Sequence, residues 1–318
     1  MRTQPQDVIA KLEADNSRLA KEKILLDAMN EGLDEFFEGL KMCLDKLYTF
    51  GVKQVPIKDE VVAGQGCPWN VFKDLAEKLY NRELTGHNAR DAINLVMSSA
   101  TAEQWNGFYR RILIKDLRCG VSEKTVNSVA KKNKFGKYMV PVFTCQLAHD
   151  SANHEKKLVG KKMLEVKLDG VRTLAIVHPD GKVDMLSRNG KEFTNFGHIQ
   201  DEISAVVKQD PPPYPLVLDG EVMSENFQDL MKQVHRKGSA DAKDAVLHLF
   251  DFIPLEEFKK GKWDKTQTLR TAMLKAWYQK HETNLNAVTV LDHEIVNLDT
   301  PEGQTTYTEV NKRAVEGG

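Results

Sequence analysis

The sequence predicts a multi-domain protein in which an all-α front end, residues 1–135, precedes an α+β domain, residues 136–318, built on antiparallel sheets. Three observations predict it. Up to about residue 135, apolar residues return at helical intervals. Beyond it, short strand-like runs lie between turn signals such as "DG", "PDG" and "NG". The length, 318 residues, gives each part enough chain to bury its own core.

In the front end, the stretch "VIAKLEADNSRLAKEKILLDAMNEGLDEFFEGLKMCLDKLYTF" spaces Ile9, Leu12, Leu19, Leu26, Met29, Leu33, Phe36, Leu40 and Leu44 as helix faces do. Shorter helices come next in "NVFKDLAEKLYNREL", "ARDAINLVMSSA", "TAEQWNGFYRRILIKDL" and "SEKTVNSVAKK". Ser122 is a helix start, and Gly120 lies between one helix and the next. In the second part, "MLEVKL", "RTLAIV", "VDMLSR", "PLVLDGEVM", "AVLHLFDFIPL" and "AVTVLDHEIV" read as strands. Helices are expected at 196–207, 227–234 and 269–281.

Hydrophobic residues make up 41% and charged residues 29%, the balance of a soluble globular chain. No apolar run approaches the ~20 residues that span a bilayer, and the N-terminus lacks the apolar core of a signal peptide. The sequence therefore points to a protein of the cytoplasm that does not engage membranes, and to the host's cytoplasm if the gene is a phage's. The four cysteines, Cys43, Cys67, Cys119 and Cys145, form no C-x-x-C pair and read as scattered buried thiols. The net charge of −1 does not advertise nucleic-acid binding, so any such role must rest on local basic clusters.

The stretch "LEVKLDGVRTLAIV" ends an apolar run with Lys167, turns at Asp169-Gly170 and returns at Arg172. On a strand, Glu165 and Lys167 share one face while Leu164, Val166 and Leu168 take the other. One reading is an ordinary hairpin with a surface lysine. The other is a nucleophile at the mouth of a nucleotide pocket. A lysine attacks only when neutral, which at pH 7 costs about 4.6 kcal/mol from its reference pKa of about 10.4. Burial or neighbouring cations reduce that cost.

The second reading draws its weight from three stretches farther along the chain. "SRNGKEF" carries Ser187 to Gly190, "LDGEV" sets Asp219 and Glu221 on one strand face, and "LHLFDFIPL" contains Phe250 and Asp251. In that order and at those separations, these stretches resemble the ATP-dependent DNA ligases of the covalent nucleotidyltransferase superfamily, and the compact build is most similar to the phage-type enzymes. The resemblance extends to the front end, where "FYRRILIKDLRCGVSEKTVNSV" is similar to the family's minor-groove-gripping stretch. It implies an α+β adenylation domain at 136–318 and a helical DNA-binding domain at 1–135. It further implies ATP as AMP donor, Mg²⁺, and nicked double-stranded DNA as substrate, handled by a monomer.

By the same resemblance, Lys167 takes AMP from ATP, Glu165 accepts from the adenine amino group, and Arg172 orients the nucleotide or the DNA 5′-phosphate. Arg188 contacts phosphate or ribose, Glu221 binds the ribose or the metal, and Phe250 stacks on adenine. Plainer roles stand beside each: a surface ion pair for Glu165, a turn flank for Arg188, another turn at Asp219-Gly220, core packing for Phe250. Mg²⁺ usually takes one or two carboxylates plus phosphate oxygens, which makes Glu221 the first metal candidate and Asp169 a weaker one.

Arg110, Arg111, Lys115 and Arg118 fall in what reads as one helical segment, with Lys124, Lys131, Lys132 and Lys134 after it. A charge run is ordinarily a solvated surface. With Gly120 and Ser122 at a helix start offering backbone N–H groups, Arg118, Gly120, Ser122 and Lys124 are the candidate contacts to DNA backbone.

The family pattern continues with a Glu-Gly strand, further lysines and an OB-fold domain, whereas this sequence stops at "YTEVNKRAVEGG". The expectation is a chain incomplete at its C-terminus that is adenylylated poorly or not at all alone. It is then one half of a split ligase completed by a separate polypeptide, or a non-catalytic binder of nicked DNA. An RNA ligase or mRNA guanylyltransferase relative is the other enzyme reading, and the helical front end argues against both.

Overall fold

A computed structural model describes residues 3–225 and 242–317, with side chains to 315. The helix expected at 227–234 lies outside the described residues. The chain divides into two compact units, Met1–Phe143 and Thr144–Gly318, against the boundary near residue 135 read from composition.

The first unit is helical: α1 (Pro5–Ala14), α2 (Arg18–Asn30), α3 (Asp34–Leu44), α4 (Trp69–Tyr80) and α5 (Gly86–Ser99) come first. Next, α6 runs through Ala102–Gln104, a π-helical turn at Trp105–Tyr109, and Arg110–Leu113; α7 is Glu123–Lys132. The long apolar pattern at 8–50 becomes three helices because Ser17 caps α2 by accepting from Ala20 N and Gly32 takes a left-handed turn (φ 66°) before α3. Phe36, Phe72, Trp105 and Phe108 are fully buried in one core, each worth about 2–3 kcal/mol of burial.

The basic run at 110–118 is not one helical segment. Helix α6 ends at Leu113, and Lys115 and Arg118 take left-handed backbone (φ 59° and 55°). Most of its charge is turned inward. Arg110 Nε donates to the Val55 carbonyl at 3.0 Å, and Arg111 donates to the Asn106 and Leu117 carbonyls at 3.2 and 2.9 Å while pairing with Glu13. Lys115 Nζ donates to the carbonyls of Met42, Asp45 and Tyr48 at 2.6, 2.7 and 2.6 Å. The Met42 carbonyl is one that α3 leaves open at its C-terminus, the Tyr48 carbonyl lies in the loop after it, and the Asp45 carbonyl accepts from Tyr48 N at 3.2 Å as well. Burial pulls the Lys115 ammonium down to about 8, so at neutral pH it still carries three donors for three acceptors.

The second unit contains a five-stranded sheet in the order β3-β2-β4-β5-β6 and a two-stranded sheet β1-β7. The strands are β1 (Lys161–Glu165), β2 (Val171–Val177), β3 (Val183–Ser187), β4 (Leu216–Met223), β5 (Val246–Pro254), β6 (Val288–Val290) and β7 (His293–Asn297). Among the described residues its α-helices are α8 (Gly197–Gln209), α9 (Leu255–Lys260), α10 (Gln267–His281) and α11 (Pro301–Gly317). Leu216, Leu218 and Val222 of β4 and Ala175 and Val177 of β2 face the core beneath α8 and α10.

Three sequence expectations change. The sheets are not all antiparallel, since β5 and β6 pair in parallel. The single strand expected at 287–296 is two, β6 and β7, in different sheets. Asp169-Gly170 makes no hairpin between β1 and β2, because among the described residues β1 pairs with β7 and not with β2. The chain instead crosses from one sheet to the other there, and Gly170 passes so close to β4 that a Cβ would lie 2.3 Å from the Val222 carbonyl oxygen.

Lys115→Met strands the Met42 and Tyr48 carbonyls and leaves the Asp45 carbonyl with the Tyr48 N–H alone; it is expected to destabilise the first unit by about 2–3 kcal/mol, read as a lower urea midpoint at unchanged slope. The exposed Lys131→Met is the control; equal midpoints for the two variants would remove Lys115 from the supports of the fold.

Candidate nucleotide site

The second unit holds a cavity of about 730 Å³ whose wall includes Glu165, Arg172, Asp219, Phe250, Asp251 and Arg270. Its floor is two buried ion pairs side by side. Arg172 Nε and Nη2 donate to Asp219 Oδ1 and Oδ2 at 2.6 and 2.7 Å. Arg270 Nε and Nη2 donate to Asp251 Oδ1 and Oδ2 at 2.8 and 3.0 Å. Asp219 and Asp251 are register partners across β4 and β5. Both pairs are bidentate, the geometry in which guanidinium and carboxylate planes match.

The register of β4 against β5 shifts at this point: Asp219 faces Asp251 but Gly220 faces Leu249, so Phe250 is the extra residue of a β-bulge. Strict alternation would send Phe250 and Asp251 to opposite faces. The bulge lets both line the cavity, and Phe250 is half-buried rather than packed in the core. The Arg172 guanidinium lies 4.7 Å from the Phe250 ring centroid, a cation–π contact that covers one face of the ring. Arg172 Nη2 also donates to the Gln146 carbonyl at 3.2 Å.

Glu165 ends β1 at the cavity wall. Its Oε1 is buried with no hydrogen-bond partner among the described residues. Burial and then Asp251 push its carboxyl up, against Lys275, to about 6. Lys167 is placed differently. Strand β1 stops at Glu165, so the alternation that put both side chains on one face does not persist. Lys167 is exposed and lines an adjoining recess of about 680 Å³ with Asp169, Met223, Glu294 and Arg313. It stays within electrostatic reach of Glu221, whose Oε1 accepts from Gly170 N–H at 3.2 Å. Burial raises the Glu221 carboxyl, and the Gly170 N–H, Arg172 and Lys167 oppose it. Strand β4 runs straight through Asp219-Gly220, so no turn forms there.

Arg188 is exposed in the tight turn after β3 and is not part of the cavity wall; its carbonyl accepts from the Cys145 thiol at 3.8 Å. Cys145 lines the cavity, half-exposed, unlike the buried Cys43, Cys67 and Cys119. Sequence reasoning missed Arg270 and the pairing roles of Asp219 and Asp251. An arginine in the first turn of a helix, nineteen residues after the aspartate it pairs with, carries no local signal.

In the first unit, Leu117, Cys119 and Val121 are buried while Arg118, Gly120, Ser122 and Lys124 are exposed, so the loop before α7 presents all four outward. The Ser122 hydroxyl caps α7 by accepting from Thr125 N at 3.4 Å. Gly120 has φ 66°, and a Cβ there would meet Lys21 Nζ at 2.6 Å. Lys21 Nζ in turn donates to the Cys119 carbonyl at 2.6 Å, fixing the loop from below.

A carboxyl whose folded value lies above its ordinary one favours folding only while protonated. That contribution is complete below the ordinary value of 4.5 and is lost as pH rises through about 6. Glu165→Gln is therefore expected to exceed the parent in stability at pH 7 by of the order of 1 kcal/mol, a figure already reduced for partial exposure. The gap should close near pH 4. Urea midpoints at both pH values check it; a variant less stable at pH 7 contradicts the assignment.

A family model for the ATP dependent DNA ligase domain matches residues 144–317, the span of the unit that holds the cavity. The DNA ligases of Enterobacteria phages T4 and T6 are each 26% identical over 151 residues, covering 46% of this chain and 30% of theirs. The chain thus spans less than a third of the length of those curated relatives. The solved structure called Pmar-Lig_PreS3 is 60% identical with a TM-score of 0.59, over 99% of this chain and 72% of that one. The structure called Pmar-Lig_Pre. is 59% identical with the same TM-score and coverage. No helix among the described residues is long and apolar enough to cross a membrane. With identity of that level across nearly its full length, and a family match that coincides with the unit built around the paired arginines and aspartates, the chain belongs to the ATP-dependent DNA ligase family.

Proposed function

We propose that this chain is a nick-sealing DNA ligase that takes AMP from ATP onto Lys167 and passes it to a DNA 5′-phosphate. The observation that carries this reading is the cavity itself. It joins an unpartnered buried acceptor on Glu165, an aromatic ring on Phe250, and Arg172 against one face of that ring. A purine base stacks on the Phe250 face opposite Arg172 and donates its amino group to Glu165 Oε1. The triphosphate then extends towards Lys167 and Glu221.

In the first step the Lys167 amine, having lost its proton, forms a bond to the α-phosphorus, and the bond to pyrophosphate breaks. The adenylate next moves to the 5′-phosphate at the nick. Attack by the 3′-hydroxyl then releases AMP and closes the strand. Mg²⁺ fits this site as a guest of few protein ligands. Glu221 keeps one carboxylate oxygen beyond its bond from Gly170, and among the described residues no cluster of three or more His, Cys, Asp or Glu side chains forms a metal cage. Bound there with the nucleotide's oxygens, it would neutralise phosphate charge. Arg188, at the turn after β3, is proposed to meet phosphate or ribose at the cavity rim.

The first unit is proposed to hold duplex DNA through the loop at 118–124. Arg118 and Lys124 supply charge, and the Gly120 and Ser122 backbone supplies donors. Two residues of left-handed backbone, Arg118 and Gly120, fix its shape.

Incubation with α-labelled ATP and Mg²⁺ should give a small amount of label that survives denaturation and is absent in Lys167→Ala. The amount is small because Lys167 opens into the adjoining recess rather than the cavity. Wild-type chain that takes no more label than Lys167→Ala at any pH from about 6 to 9 contradicts the reading. Arg118→Ala and Lys124→Ala should each weaken binding to nicked duplex whatever its sequence and lower the salt slope by about 1. An unchanged slope would take the loop off the DNA.

A further inference from the structure

Glu165 presents acceptors alone only while it is ionised. A protonated carboxyl donates, and a base that presents a carbonyl at that edge then fits as well as one that presents an amino group. The charge around Glu165 therefore bears on which base the cavity accepts. Asp251 faces it from β5 and Lys275 from α10, His293 is its register partner on β7, and Arg172 and Asp219 line the same cavity from β2 and β4. Asp251 is the repulsive neighbour, and it is the one that Arg270 holds. Arg270 is itself tied down, donating to the Lys265 carbonyl at 2.8 Å and to Gln267 Oε1. Gln267 in turn donates to the Phe250 carbonyl at 3.3 Å, so one turn of α10 grips the bulged residue and the carboxylate beside it.

We propose that Arg270, acting through Asp251, is a positioning residue that keeps Glu165 a bare acceptor and so makes the cavity select a base with an exocyclic amino group over one with a carbonyl in that place. The proposal rests on the reading of the cavity as the nucleotide site. Without Arg270, two carboxylates share a half-buried wall with Lys275 as the remaining close cation. One proton is then held between them at a higher pH than before. Without the Asp251 charge, the Arg270 cation is left facing Glu165 and the shift runs the other way.

The test is equilibrium binding of ATP and of ITP, which differ at that one edge, to the full chain with Mg²⁺ across pH 5–8. In the wild type, ATP affinity is expected to fall severalfold below a midpoint near pH 6, with the preference over ITP shrinking in step. Arg270→Met should move that midpoint to higher pH and cut the ATP-over-ITP preference at pH 7 severalfold. Asp251→Asn should move the midpoint lower. Arg270→Met with Asp251→Asn, which removes both charges, should restore the preference at pH 7. A role confined to holding the fold predicts no such opposed shifts and no restoration. If Arg270→Met does not fold, Asp251→Asn decides, and a midpoint that fails to fall overturns the proposal. A midpoint and preference unchanged in Arg270→Met overturn it equally, with ATP binding itself intact. If the wild type binds neither nucleotide, the reading of the cavity falls, and this inference with it.

Discussion

The site depends on two carboxylates that face each other across β4 and β5. Asp219 and Asp251 are register partners in a buried floor, where like charges on opposite strands are unfavourable. Each is compensated by its own arginine, Arg172 from β2 and Arg270 from α10. Removing one partner of such a pair leaves a buried charge unpaired, at a cost of several kcal/mol. The four charges therefore bind three strands and a helix to one geometry, and the cavity is the space above them. They also occupy the groups that an isolated reading assigns to substrate: Arg172 holds Asp219 and backs Phe250 before it can touch a nucleotide.

Two departures from regular strand geometry arrange the rest. The bulge at Phe250 brings an aromatic ring and a carboxylate, neighbours in sequence, to the same side of the sheet. The end of β1 at Glu165 does the reverse, parting Glu165 from Lys167 although strand spacing would keep them together. Glu165 stands in the cavity with an unpartnered oxygen and a raised carboxyl, both of which weaken the fold. That oxygen is the acceptor that the proposed nucleotide site would use.

In the first unit the same residue type performs two unlike tasks. Arg110, Arg111 and Lys115 donate to backbone carbonyls and hold loops, while Arg118 and Lys124 project outward. Count and spacing do not distinguish them. The helices around them do, because a carbonyl left open at the end of α3 attracts whichever ammonium the fold brings near.

Legible in the chain before any fold was known were the division into a helical part and an α+β part, most strand positions, and the motifs at Lys167, Arg188, Glu221 and Phe250. Those features are local: periodicity, turn residues and short spacings persist wherever the chain is placed. Packing in three dimensions settled that β1 leaves β2 for β7, that Phe250 escapes the core, that Lys115 turns inward and that Arg270 reaches Asp251. Each of these is a choice of partner between segments distant in sequence, or a break in alternation imposed by that partner. A buried charge or an open carbonyl is satisfied by what lies nearest in space, which no spacing along the chain encodes.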